Sequence, residues 1–219
     1  LSAAEMSAVL NGANVAAIGS GDTGDWEVIQ FAGATLVAPG QWDIGLRLRG
    51  QQGSDGVMPD VWPEGSLFVL LDGAPGQVDL PLSARGLARF YRIGPARRSL
   101  DDSSYVARSA AFQGVGLRAY APAHLRATRD GGDRQITWIR RSRIDGDSWE
   151  SAEVPLGETS ERYLLRISDA GGVKREETLS TPAFTYTAAL RAADGIAAPY
   201  TIEVAQLSEI FGPGPFARI

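Results

Sequence analysis

Asp145-Gly146-Asp147 and Glu150 place three carboxylates within six residues, the densest set of hard oxygen ligands in the sequence. Such oxygens suit Ca²⁺, but an EF-hand loop needs another oxygen ligand at position 5 and Gly at position 6. Trp149 and Glu150 stand there instead. The expected structure is a tight turn with solvated acids, and Asp145, Asp147 and Glu150 remain weak metal candidates. His124 is the sole imidazole. A general base or pH sensor needs partners, yet no G-x-S-x-G elbow is present, so a strand histidine is expected. Gly19-Ser20-Gly21-Asp22-Thr23-Gly24 is glycine-rich but lacks the terminal Gly-Lys-Ser/Thr of a phosphate loop. Its Asp22-Thr23-Gly24 has no second copy to share a proton, as an aspartic protease would require. That stretch reads as a flexible connection.

Binding residues are better represented. Trp62 and Trp149 lie in predicted loops flanked by Asp60, Glu64, Asp147 and Glu150. A loop tryptophan beside carboxylates suits sugar stacking, and equally suits covering a sheet edge. Arg140, Arg141 and Arg143 form a basic cluster near Arg134, able to grip carboxylate or phosphate in bidentate fashion. The competing expectation is ion pairing with Asp145, Asp147 and Glu161. Trp62, Trp149, Arg141 and Arg143 are therefore the ligand-binding candidates. Trp26, Trp42 and Trp138 sit in apolar strand patterns and are expected in the core.

The elements that must position these residues are mainly strands. The 219 residues include 26 Gly and 12 Pro, which favours a turn-rich β fold. Ser2-Ala3-Ala4-Glu5 resembles a capping box, with Met6, Val9 and Leu10 on the apolar face of a short helix that Asn11-Gly12 ends. From Trp26 the period is two. Trp26–Phe31 reads as a strand, and Trp42, Ile44, Leu46 and Leu48 alternate with polar or small residues. Leu67–Leu71 is a continuous apolar run suited to a central strand. Leu87–Ile93 and Tyr105–Phe112 follow. After Tyr120-Ala121-Pro122 come strands at Leu125–Arg129, Gln135–Ile139, Tyr163–Ile167, Val173–Leu179, Ala183–Thr187 and Tyr200–Ala205, with Pro213–Ile219 closing. The expected organisation is a helix and linker over 1–19, a β domain over 20–120 and an immunoglobulin-like sandwich over 121–219.

Composition narrows the function classes. With zero Cys, disulfide scaffolds, thiolate metal sites and cysteine nucleophiles are excluded. A net charge of −5 argues against a broad nucleic-acid footprint, and no apolar run has membrane-span length. Of 21 basic residues only Lys174 is lysine, which fits a GC-rich genome better than arginine chemistry. The chain begins at Leu1 rather than Met, and reads as a fragment of a longer protein.

Two resemblances are carried by particular segments. Ala121-Pro122, Ile136-Thr137-Trp138 and Tyr200–Ala205 followed by Gly212-Pro213-Gly214-Pro215 resemble the opening linker, the strand-B tryptophan, and the strand-F tyrosine with its F–G connection, of a fibronectin type III domain. The stretch from Arg140 to Glu161 is long for a B–C connection. Trp149 and Pro155-Leu156-Gly157 suggest that it folds back on the sandwich. More narrowly, Trp26–Phe31, Leu48–Gln51, Tyr91–Pro95, Tyr120–Pro122, Trp138–Trp149 and Phe211–Pro215 resemble the C-terminal region of one phage-tail family. This family comprises the large tail-tip ("megatron") proteins of alphaproteobacterial gene transfer agents and related putative tail and host-specificity proteins.

The resemblance implies a non-catalytic structural module of a virion or gene transfer agent tail tip (baseplate hub), made in the bacterial cytoplasm. Its implied partners are other tail and baseplate proteins, the upstream part of its own chain and the recipient cell; host cell-surface carbohydrate is expected from the loop tryptophans of an acidic chain, and charge and hydropathy call for no nucleic acid and no membrane span. No cofactor is called for. The alternatives are a glycan-degrading tail enzyme using an acid pair such as Asp145 and Glu150, and a purely architectural spacer.

Overall fold

The computed structural model describes residues 1–21, 26–146 and 153–219. The fold is mainly β. It divides into two compact units, the first formed by residues 1–48 and 59–116 and the second by 49–58 and 117–219. The ten residues 49–58 thus group with the later part of the chain, where a contiguous division near residue 120 was expected.

In the first unit, strands β1 (Val15–Gly19), β2 (Trp26–Ala38), β3 (Gln41–Gln51) and β4 (Leu67–Leu70) form a sheet in the order β3-β2-β1-β4. The last three residues of β3 already belong to the second unit. β1 runs antiparallel to both β2 and β4. Residues 15–19, expected as linker, are therefore a central strand. Leu67–Leu70, expected as central, lies at the edge, with Leu67 and Phe68 exposed. The core of this sheet is small: Ala16, Ile29 and Phe31, with Ile18, Ala34, Ile44 and Leu70 packed against them. Trp42 is exposed and Trp26 half-buried, so neither is the core residue expected. Trp42 stands on β3, the opposite edge of the sheet, and Leu46 on the same strand takes φ +48°, which interrupts the alternation.

The short helix α1 (Met6–Leu10) buries Val9 and exposes Met6 and Leu10. Its N-cap is Glu5, without a side-chain cap, so the expected capping box does not form. The preceding residues are held elsewhere. The Ala4 N–H donates to Ala32 O, and Asn14 Nδ2 donates to Ser2 O and Phe31 O. Further along, β5 (Arg89–Ile93) and β6 (Val106–Ala110) pair antiparallel as a separate two-stranded sheet.

The second unit is a sandwich. One sheet has the order β11 (Ala183–Tyr186), β8 (Asp133–Ile139), β7 (Ala123–Asp130). The other has β10 (Gly172–Leu179), β9 (Tyr163–Asp169), β12 (Thr201–Ser208), closed along β12 by β13 (Gly212–Pro213) and β14 (Ala217–Arg218). In chain order this is A-B-E against C′-C-F-G, the strand arrangement of a fibronectin type III sandwich. Period-two alternation fills the interior: Ile136 and Trp138 from β8, Tyr163, Leu165 and Ile167 from β9, Tyr186 from β11, Ile202 and Val204 from β12. The Trp138 and Tyr163 rings meet edge to face at 5.2 Å.

The helix α2 (Ala188–Asp194) lies in the connection from β11 to β12, capped by the Thr187 side chain, which accepts from Leu190 N–H. The closing strand is split where Gly214 passes the buried backbone. A Cβ there would lie 2.3 Å from Ala119 O, so only glycine fits.

Candidate functional site

The basic cluster lies where β8 leaves the sandwich, and its middle residue, Arg141, is fixed by the neighbouring sheet. Gln206, buried on β12, donates through Nε2 to Arg141 O at 2.7 Å. Its Oε1 accepts from Arg141 N–H at 2.6 Å. Arg140 turns back along the chain, donating from Nη1 to Pro155 O and from Nη2 to Val154 O. Arg143 donates to Glu158 Oε1 at 2.8 Å and to Gly157 O at 3.1 Å. Residues 154–158 are thus tied to Arg140 and Arg143.

Arg141 reaches the segment 49–58. Its Nη1 lies 2.5 Å from Asp55 Oδ2, and its guanidinium carbon stacks 5.1 Å from the centre of the Tyr120 ring. That segment is seated tightly: Gly53 has φ +76°, and a Cβ there would lie 2.2 Å from the Tyr120 ring. Arg118 Nη2 donates to Gly53 O. Burial pushes the Tyr120 phenol above its ordinary pKa, opposed by Arg141.

These residues enclose an open cleft of about 470 Å³, lined in part by Gln51, Gln52, Tyr120, Arg141, Ser142 and Asp145. Its arginines are held by Asp55, Glu158 and backbone carbonyls, so the cleft presents amide, hydroxyl and phenol groups beside neutralised cations. The acids paired with Arg141 and Arg143 are Asp55 and Glu158, where the sequence suggested Asp145, Asp147 and Glu161. Asp55 and Glu158 were missed because nothing in the chain links position 55 to position 141 before folding.

The remaining candidates are elsewhere. Trp62 belongs to the first unit, where it is half-buried and its Nε1, committed to Glu27 Oε2 at 2.6 Å, is not open to a ligand. Trp149, Asp147 and Glu150 lie outside the described residues. Asp145 is exposed, with φ +46°. Among the described residues, no group of three or more His, Asp or Glu is arranged to hold a metal ion, and no helix is long and apolar enough to cross a membrane.

Residues 1–69 match the family model described as "Rcc01698-like, C-terminal". No curated protein matches the chain. Among solved structures the chain is similar to domains d3–d4 of the extracellular region of rat CD45. The identity is 11% and the TM-score 0.31, over 74% of this chain and 75% of that one.

Proposed function

We propose that this chain is a non-catalytic structural module of a phage-like tail tip, of the baseplate-hub kind found in gene transfer agents, and that it faces the recipient cell. The observation that carries this reading is the match of residues 1–69 to the Rcc01698-like C-terminal family. Two of the segments that resemble gene transfer agent tail-tip proteins, Trp26–Phe31 and Leu48–Gln51, fall inside that match. The sandwich of the second unit suits the role mechanically, because a packed two-sheet core holds exposed loops and sheet faces in fixed positions. In this reading the chain resides in the particle, joins other tail proteins and the rest of its own polypeptide, and touches surface carbohydrate through many weak, repeated contacts.

The test is to display the chain multivalently on beads and incubate it with envelopes from recipient cells that carry or lack surface polysaccharide. Retention that depends on the polysaccharide, with polymer length unchanged, is the expected result. Shortened polymer would make the chain a depolymerase. Equal absence of retention from both envelopes would leave it an architectural spacer.

A further inference from the structure

The outward face of the β11-β8-β7 sheet carries an open cavity of about 370 Å³, lined by His124, Arg126, Thr137, Trp138 and Ile139. Ile136, Trp138, Phe184 and Tyr186 face the core, so Gln135, Thr137, Ile139, Ala183 and Thr185 face out. The register sets Arg126 opposite Thr137 and Thr128 opposite Gln135, and continues from Gln135 to Thr185. The Thr185 hydroxyl bonds Gln135 Oε1 at 2.7 Å. A row of hydroxyl and amide groups therefore runs across three strands, away from a corner that holds an imidazole and a guanidinium.

That corner has an unusual backbone. His124 takes φ +53°, and the β7–β8 register shifts between Ala123 and Arg126. A bulge of this kind re-aims a side chain, and strained backbone at non-glycine residues clusters at functional sites. His124 and Arg126 are exposed, and neither they nor the Thr137 side chain bonds any other described residue. This separates them from Arg140, Arg141 and Arg143, each already held within the protein. Among the described residues no carboxylate lines the cavity. Asp130 and Asp133 stand at the far, turn end of the hairpin with Arg129 and Arg134, and Arg218 of β14 is engaged by Glu203.

We propose that this face binds a carboxylate-bearing polysaccharide: His124 and Arg126 take the sugar carboxylate, Ile139 packs a C–H face of the ring, and Thr137, Gln135, Thr128 and Thr185 meet hydroxyls along the chain. An arginine beside an imidazole supplies charge-assisted donors for a carboxylate. The sheet face offers side-chain hydroxyls and amides, which suit a polyol. The ligand class deepens the surface-carbohydrate part of the function proposed above. The site itself rests on this geometry alone, and its test does not involve a particle.

His124 is the only histidine, so its ring C–H signal in a proton spectrum needs no assignment. The probe is oligogalacturonate, with its methyl ester and inorganic phosphate as the comparison ligands. The expected result is a saturable movement of the His124 signal with the free acid, because a carboxylate seated against the ring changes its surroundings. The ester should leave the signal in place. Arg126→Gln, which alters an exposed side chain, should weaken the free-acid effect at least about tenfold, with the Trp138 indole signal unchanged as evidence of an intact fold. No movement with the free acid, equal movement with the ester, or a response to phosphate alone would overturn the proposal.

Discussion

The Trp62 indole N–H donates to a carboxylate that is itself fully buried, Glu27 Oε2 at 2.6 Å. A tryptophan from the loop before β4 thus ties that loop to strand β2, and a buried acid receives a donor that offsets part of its desolvation.

Replacing Trp62 with Phe keeps an aromatic ring and removes that donor. The expected cost is about 1–3 kcal/mol in a urea titration, the range for leaving a buried polar atom short of a partner. A variant as stable as the parent would show that the bond does not hold the loop, and would return Trp62 to the set of ligand candidates.

Trp138 stands at the centre of the sandwich, 4% exposed and edge-on to Tyr163. Trp138→Ala should destabilise the second unit by roughly 3–5 kcal/mol. The check is the denaturant midpoint followed by circular dichroism. A loss below about 1 kcal/mol would contradict a closely packed interior at this position.

Acid should act on the second unit through Asp194. Its carboxylate accepts from Arg175 Nε and Nη2, both at 2.8 Å, and from the Tyr186 hydroxyl at 2.6 Å. The Arg175 guanidinium holds its pKa below the usual carboxylate range. A depressed folded pKa stabilises the fold above the unfolded value, near 4, and that contribution is lost as pH falls through the folded value. Asp194→Asn should therefore cost about 2 kcal/mol at neutral pH, with the gap from the parent closing below about pH 4. Stability curves that stay equally far apart down to about pH 2 would contradict the role of this ion pair.

Much of the second unit is legible in the chain because β8 and β9 alternate cleanly. Ile136 and Trp138, then Tyr163, Leu165 and Ile167, announce their buried faces at period two. The first unit is less legible. A short apolar run such as Leu67–Leu70 fits an edge or a central strand equally well, since periodicity does not report how many neighbours a strand has. The candidate residues are legible by type and not by partner. Arg141 bonds Asp55 across 86 positions and Trp62 bonds Glu27 across 35, separations over which sequence spacing carries no signal. His124 was read as an ordinary strand histidine. Its positive φ and the bulge beside it arise from pairing with β8, which no local pattern encodes.

Gold labelling of purified particles tests whether this chain sits in a tail tip, as proposed. An antibody against this chain, carried on gold and applied to purified particles, should mark the tip of the tail farthest from the capsid. Label on the capsid or along the tail shaft, or no label on particles from cells that express the chain, would contradict the account.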